Sequence, residues 1–343
     1  MPNFLRFFAS MKTVTTPSPL PWGEEQGEGI RWFLSILFVV LLTACGQSES
    51  EAQDKQSNVP MRDTILGPEF SYPATPLIKC NGVFEQGGLV LCKTAPNAKL
   101  EISRSEADKF TATADPNGNY LLGFDRDETF SAIRVVAGEI PENMANAPVQ
   151  ASFTFAPREY AISRIDGLPP SQVSTFTDAQ LKSIRASSAR KKIGFASREQ
   201  TLWFQNGFDY PLKKFTKTSP FGAQRILNGV TKKPHYGVDI AAPVGTGVYA
   251  PADGVVSMAD DDLYFEGAMI LLDHGQGLIS MYLHVSAIDV KPGQAVKRGE
   301  KIGEVGSKGR STGPHLCWRL KWRNRHLDPE LLTQWPTEEH AHD

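Results

Sequence analysis

Hydrophobic and polar residues alternate in short runs over most of the chain from residue 70 onward, and clusters of Gly, Asn and Asp separate these runs. Such alternation is typical of β-strands that bury one face. In residues 70–160 the runs read LEIS, FTATA, YLLGF, SAIRVVAG and ASFTFA, with the turn sequences DPNGN and GFDRDE between them. This spacing predicts a small β-sandwich-like domain over residues 70–160.

Residues 161–206 have a different pattern and predict a short helical connector. Thr177 or Asp178 can cap the start of a helix that runs to about Lys191. Basic residues gather toward its C-terminal end, where the helix dipole favours them. We expect this segment to pack against one or both of the β-rich parts that flank it.

Residues 207–335 return to short strands, with a glycine at nearly every junction. The runs read GVYA, GVVSMA, GAMILLDHG, GLISMYLHV and HLCWRLKW. Short β-elements joined by glycine-rich turns predict an antiparallel β-sheet or flattened barrel. The fold class is therefore predicted as mainly β, with residues 336–343 as a polar tail.

An apolar run at residues 32–44 follows Arg31 and is too short for a comfortable membrane span. Its length fits the core of a signal peptide. It ends in Leu42-Thr43-Ala44-Cys45, which resembles the lipobox of bacterial lipoproteins. The resemblance implies that Cys45 carries a lipid that attaches the mature protein to a membrane. An uncleaved anchor helix is the alternative.

The predicted lipidation at Cys45 divides the N-terminal part of the chain into two segments. Residues 1–45 are predicted to be an N-terminal extension and signal peptide, and the polar residues 46–69 a disordered tether. Gly46 follows the cysteine in place of the Asp associated with inner-membrane retention. The lipoprotein resemblance thus implies the periplasmic face of the outer membrane in a Gram-negative envelope.

The amino-acid composition limits which kinds of molecule the protein is expected to bind. Hydrophobic residues make up 41% of the chain, enough for buried cores, and the formal net charge is only −2. The sequence has no large basic patch, so nucleic acid is not expected as a partner. Protein partners are not readable from the sequence.

Five side chains suited to metal binding or proton transfer occur within about eighty residues. They are His235, Asp239, His284, His315 and Cys317. His235, Asp239 and Cys317 can form a nitrogen, oxygen and sulfur donor set that leaves one tetrahedral position open, which is typical of catalytic zinc. His315 and Cys317 are two residues apart, so on a strand they share one face. His284 and His315 remain for proton transfer.

The other histidines have simpler interpretations. His274 in LLDHGQG and His326 in NRHLDP are expected to make hydrogen bonds in turns or in the core. His340 and His342 lie in the polar tail and are expected to be solvated.

Four cysteines occur in the chain. Cys80 and Cys92 flank a predicted hairpin and could form a disulfide across it, which an exported protein permits. With Cys45 lipidated, Cys317 is the remaining thiol. It is either a buried, inert strand residue or a metal ligand.

Residues 219–329 resemble the lysostaphin-type, LytM-like zinc metallopeptidases. The resemblance rests on SPFGAQRILNGVTKKPHYGVDIAAPVGTGVYAPADGVV and then LLDHGQGLISMYLHVSAIDVKPGQAVKRGEKIGEVGSKGRSTGPHLCW. It implies zinc as the cofactor, with His235 and Asp239 as ligands and His284 and His315 as catalytic residues. Where the family pattern H-x-H has its last ligand, this chain has Cys317.

The resemblance implies a zinc-dependent endopeptidase that hydrolyses the peptide cross-links of peptidoglycan. A thiolate at Cys317 adds a negative charge to the ligand set, which should weaken zinc as a Lewis acid. One alternative is therefore a degenerate, non-catalytic LytM-like module that binds peptidoglycan or activates a cell-wall hydrolase. Another is a structural lipoprotein of the envelope.

Overall fold

The computed structural model describes residues 78–105, 108–129, 132–138, 149–167 and 176–335. The predicted signal peptide, the Cys45 lipidation site, the tether and the C-terminal tail lie outside these residues. Strands predominate in the described part, so the mainly β prediction is confirmed. Within this part, no helix is long and apolar enough to cross a membrane.

The described residues between 79 and 154 form two antiparallel sheets. A three-stranded sheet has the order β1-β2-β5, and a four-stranded sheet has the order β4-β3-β6-β7. The strands are β1 (Lys79–Gly82), β2 (Leu89–Lys93), β3 (Lys99–Ser105), β4 (Asp108–Thr113), β5 (Asn119–Gly123), β6 (Ala132–Gly138) and β7 (Val149–Thr154). Cys80 and Cys92 lie directly opposite each other on β1 and β2 and are joined by a disulfide.

The segment that follows contains β8 (Ile162–Ile165) and the helix α1 (Asp178–Phe195). Thr177 caps the helix: its hydroxyl accepts a hydrogen bond from the Gln180 backbone N–H at 3.3 Å, and the Gln180 side chain accepts one from the Thr177 N–H at 2.8 Å. The helix ends at Phe195, beyond the end predicted near Lys191. Its last turn packs tightly on the sheet, because a Cβ on Gly194 would lie 2.7 Å from Met258.

The rest of the chain is organised around an eight-stranded sheet with the path β18-β14-β15-β16-β20-β12-β9, to which β21 adds beside β20. Two smaller sheets have the orders β13-β19-β17 and β11-β10-β8. A short 3₁₀ helix covers Pro329–Gln334. The strands are β9 (Thr216–Ser219), β10 (Gln224–Leu227), β11 (Val230–Thr231), β12 (Val238–Ala241), β13 (Gly247–Tyr249), β14 (Gly254–Leu263), β15 (Gly267–Asp273), β16 (Leu278–Leu283), β17 (Ala287–Ile288), β18 (Ala295–Val296), β19 (Lys301–Glu304), β20 (Leu316–Trp322) and β21 (Arg325–Leu327).

Both faces of this sheet are covered. Every residue of β15 and β16 is buried, which explains their nearly continuous apolar sequences. One face belongs to a hydrophobic cluster that also includes residues of β1–β6, so the two β-rich parts of the described chain share one core. The other face forms a smaller cluster that contains Leu271, Met281 and Cys317 and packs against Phe195 of α1.

Hydrogen bonds also join the two β-rich parts that share this core. The His326 N–H donates to Asp125 at 2.7 Å, and the Tyr236 hydroxyl donates to Asp127 at 2.9 Å. The tips of the N-terminal strands therefore lie against the segment that carries His235 and against β21.

His274 is fully buried at the end of β15. Its Nδ1–H donates to the Asp253 carbonyl at 2.7 Å, and its Nε2 accepts from the Ser280 hydroxyl at 2.7 Å. Ser280 is also within hydrogen-bond distance of the Tyr282 hydroxyl, at 2.7 Å. The prediction of a core hydrogen-bonding role for His274 is confirmed.

Candidate metal centre

Three of the five predicted side chains converge at the neighbouring strands β12 and β20 of the eight-stranded sheet. Asp239 on β12 lies directly opposite Cys317 on β20, and His235 lies just before β12. His235 Nε2 is 3.1 Å from Asp239 Oδ1 and 3.3 Å from Cys317 Sγ. All three donor atoms lie within 4.8 Å of one another. The structure therefore brings the predicted ligand set together.

The spacing of these atoms fits a tetrahedral metal ion. Zinc bonds of about 2.0–2.1 Å to nitrogen and about 2.3 Å to sulfur place neighbouring donor atoms about 3.4–3.6 Å apart. The distances from His235 Nε2 are close to this range. Asp239 Oδ1 is buried, and its contact with His235 Nε2 at 3.1 Å does not have the geometry of a hydrogen bond, so no described residue donates one to this oxygen. A buried carboxylate oxygen without such a partner is costly unless something else, such as a cation, satisfies it.

His235 is held by its backbone and by its second ring nitrogen. Its N–H donates to the Ala223 carbonyl at 2.9 Å, and its own carbonyl accepts from the Gly222 N–H at 2.8 Å. Its Nδ1 is 3.0 Å from the Ser219 hydroxyl. This contact fixes the ring with Nε2 toward Asp239 and Cys317, which is how ligand histidines are commonly oriented.

The environment favours neutral His235 and ionised Asp239. Burial lowers the pKa of His235 below its ordinary value. Burial alone would raise the pKa of the Asp239 carboxyl, but contacts with His235 and Cys317 outweigh it and hold that pKa below its usual range. Burial raises the pKa of the Cys317 thiol to about 12, against the opposing charge of Arg319. A metal that binds Cys317 must therefore displace a proton.

The two remaining histidines lie beside this set, with their ring centroids 4.9 Å apart. His284 Nδ1 is 2.8 Å from the Lys308 carbonyl, and His315 Nδ1 is 2.8 Å from the Gly313 carbonyl. Because a carbonyl only accepts, both Nδ1 atoms carry hydrogen, and in the neutral rings both Nε2 atoms have a free lone pair. His315 Nε2 is 3.7 Å from Asp239 Oδ1. Burial lowers the pKa of His284 to about 4, so this ring is neutral near pH 7.

The backbone around His284 is tightly constrained. His284 has a φ of +68°, in the left-handed region that non-glycine residues rarely adopt. Its N–H donates to the Glu266 carbonyl at 3.1 Å. A Cβ on Gly267 would lie 2.4 Å from the Lys308 backbone, and one on Gly309 would lie 2.3 Å from the Gly267 nitrogen. The backbone at Gly267 and the backbone at Lys308 and Gly309 therefore pass so close to each other that neither glycine position has room for a side chain. This close approach keeps the Lys308 carbonyl beside His284.

Sequence reasoning missed three side chains that contact the ligands. Ser219 contacts His235, Arg225 Nη2 lies 3.9 Å from Asp239, and Arg319 Nε donates to Cys317 Sγ at 3.2 Å. The period of two along β20 places Arg319 on the same face as Cys317, so alternation alone could have found it. Arg225 and Ser219 reach the site through strand pairing, which a local pattern does not report.

The β-rich fold and this donor set agree with a family match over the same part of the chain. Residues 233–329 match the model of Peptidase family M23, so this part of the chain is similar to the M23 peptidases.

The similar proteins agree with this match. Peptidoglycan DD-endopeptidase ShyA of Vibrio cholerae is 45% identical over 118 residues, which are 34% of this chain and 27% of ShyA. DD-carboxypeptidase/endopeptidase Mpg of Neisseria meningitidis is 37% identical over 131 residues, which are 38% of this chain and 30% of Mpg. The chain thus matches less than a third of the length of these relatives.

One solved structure is similar over most of the chain. It is a crystal structure described as a candidate M23 peptidase of Pseudomonas aeruginosa, with a TM-score of 0.53 and 25% sequence identity. The similarity covers 73% of this chain and 94% of that one. The arrangement of β-rich parts is therefore shared beyond residues 233–329.

Proposed function

We propose that this protein is a zinc-dependent endopeptidase that hydrolyses the peptide cross-links of peptidoglycan. The observation that carries the proposal is the set of five side chains in one place: three donor atoms within 4.8 Å of one another and two histidines with free Nε2 lone pairs beside them. The names of ShyA and Mpg, a peptidoglycan DD-endopeptidase and a DD-carboxypeptidase/endopeptidase, support peptidoglycan peptides as the substrate class.

His235, Asp239 and Cys317 would hold the ion. When bound, zinc supplies a Lewis acid that activates water and polarises the scissile carbonyl. His315 is placed to take the proton of the attacking water, because its Nε2 lies 3.7 Å from Asp239 Oδ1. The protonated ring can then give that proton to the leaving amine as the peptide bond breaks. His284 is held neutral with its Nδ1–H on a carbonyl, so its Nε2 is available to orient the water or receive its proton.

The non-catalytic alternative is not favoured. A degenerate module is expected to lose donors or proton-transfer groups to inert side chains. Here each of the five positions has a side chain that can bind a metal or transfer a proton, and the thiol of Cys317 is an ordinary zinc ligand.

The test is digestion of purified peptidoglycan by the purified full chain, followed by separation of the released fragments. We expect cross-linked peptides to be cut, the cut to stop with a chelator, and zinc to restore it. His326→Gln is the matched control, since this histidine lies outside the cluster, stacked on Tyr236 at 4.0 Å between ring centroids. Binding to peptidoglycan without release of any fragment would contradict the proposal.

We also propose attachment to the outer membrane by a lipid at Cys45. Support comes from the apolar run at residues 32–44 and the lipobox resemblance. Cys45→Ala should move the protein from the membrane fraction to the soluble fraction of the periplasm. Retention of this variant in the membrane fraction would contradict a lipid anchor and favour an uncleaved helix.

A further inference from the structure

Arg319 touches the sulfur of the proposed ligand Cys317. Its Nε donates to Cys317 Sγ at 3.2 Å, and its side chain is partly buried on the same face of β20. A guanidinium removed from water is costly unless an anion or a strong acceptor pairs with it. Cys317 Sγ is the hydrogen-bond acceptor that the structure gives to Arg319 Nε.

The segment just before β12 leaves room for this arginine at Gly237. A Cβ on Gly237 would lie 2.5 Å from Arg319 Cγ and 2.9 Å from the Trp318 carbonyl oxygen. Gly237 lies between His235 and Asp239, so the segment that supplies two ligands also accommodates the arginine stem. Any larger residue at position 237 would push the guanidinium away from the sulfur.

The charges of the site suit such a group. A thiolate at Cys317 and the carboxylate of Asp239 place two anions in the ligand set, whereas a neutral histidine at position 317 would leave one. Each anion has an arginine nearby: Arg319 at Cys317, and Arg225 Nη2 at 3.9 Å from Asp239 Oδ2. With the positive charge of Arg319, the pair Cys317 and Arg319 has the same formal charge as a neutral histidine.

We infer that Arg319 is a positioning residue for Cys317, and that the two side chains together act as one neutral ligand. The guanidinium orients Sγ toward His235 and Asp239, and its hydrogen bond withdraws electron density from the sulfur. A less strongly donating sulfur leaves the bound metal a stronger Lewis acid. This inference rests on the proposed zinc site.

The experiment compares four full-length proteins: the wild type, Arg319→Gln, Cys317→His and the double variant. Each is loaded with Co²⁺ in place of zinc. The thiolate-to-cobalt charge-transfer band is recorded for the two proteins that keep Cys317, and the two Cys317→His proteins serve as blanks without this band. Loss of the hydrogen bond should move this band to lower energy in Arg319→Gln. Arg323→Gln is the matched control, since Arg323 stacks over Trp322 at 5.0 Å and should leave the band in place.

Peptidoglycan cleavage by the zinc-loaded proteins completes the double-mutant cycle. Arg319→Gln should lower the rate about 10–100-fold when residue 317 is Cys. The same change should lower it less than about 3-fold when residue 317 is His, because the coupling between the two residues is then absent. Arg319→Lys, which keeps the charge but loses the Nε donor, should give an intermediate band position.

The outcomes separate the two levels of the proposal. A wild-type protein that binds cobalt without a charge-transfer band would overturn Cys317 as a ligand, and the proposed zinc site with it. An unmoved band in Arg319→Gln, or equal losses of rate in the Cys317 and Cys317→His backgrounds, would overturn the role of Arg319 alone.

Discussion

Two polar clusters built from similar residue types lie on the same sheet, and they differ in how completely they use their hydrogen bonds. In the His274 cluster both ring nitrogens are engaged, with Asp253 and Ser280, and Ser280 also reaches Tyr282. In the candidate metal centre, His284 and His315 each engage Nδ1 with a carbonyl, and no described residue donates a hydrogen bond to Asp239 Oδ1. The comparison shows that burial alone does not distinguish a core histidine from a functional one. Between these two clusters, the difference lies in the donor and acceptor atoms that are left unused.

Among the changes that compare the two clusters, removal of a proton-transfer histidine should have the largest effect. We expect His284→Ala and His315→Ala each to lower the cleavage rate by about 10²–10⁴-fold, because each removes a group placed to handle protons. Zinc content, measured by atomic absorption, should stay at the wild-type level. Loss of the metal in either variant would show that the residue is a ligand.

Acid should destabilise the protein through the His274 cluster. Burial lowers the pKa of His274 to about 4, below the value of about 6.5 in an unfolded chain. As pH falls from 6.5 toward 4, the unfolded chain binds a proton that the folded chain excludes, so stability falls with pH. Over this pH range, proton binding at His274 in the unfolded chain lowers the free energy of unfolding by about 3 kcal/mol. Urea unfolding at several pH values measures it, and the slope should be smaller in His274→Gln.

Ser219→Ala should act on the metal centre alone. The change removes the contact at 3.0 Å that orients the His235 ring. We expect zinc affinity to fall about 10–100-fold, as for other residues that orient a ligand. Competition with a chromophoric chelator measures this affinity. An unchanged dissociation constant would mean that the backbone contacts of His235 orient it by themselves.

Ser280→Ala is the matching change in the other cluster and should have the smallest effect. It leaves His274 Nε2 and the Tyr282 hydroxyl without their shared partner, which costs about 1–2 kcal/mol of unfolding free energy. Zinc affinity should not change. A fall in zinc affinity here would show that the two clusters are coupled through β16, contrary to the comparison above.

The sequence predicted the mainly β fold and named five residues that the structure brings together, because alternation and the HYGVD and GPHLCW motifs are local patterns. Their individual roles stay predictions. The shared core of the two β-rich parts depends on contacts between residues far apart in sequence, such as Asp125 and His326, and no local pattern reports these. The helix end near Gly194 was missed for the same reason, since packing on Met258 extends the helix past the basic residues.

The position of Cys317 also has a consequence for oxidative folding. An unfolded chain can join Cys92 to Cys80, 12 residues away, or to Cys317, about 225 residues away. Because the entropic cost of closing a loop grows with the logarithm of its length, the short loop has an advantage of roughly 80-fold. Distance along the chain thus protects the Cys317 thiol from mispairing before folding, and burial in β20 protects it afterwards.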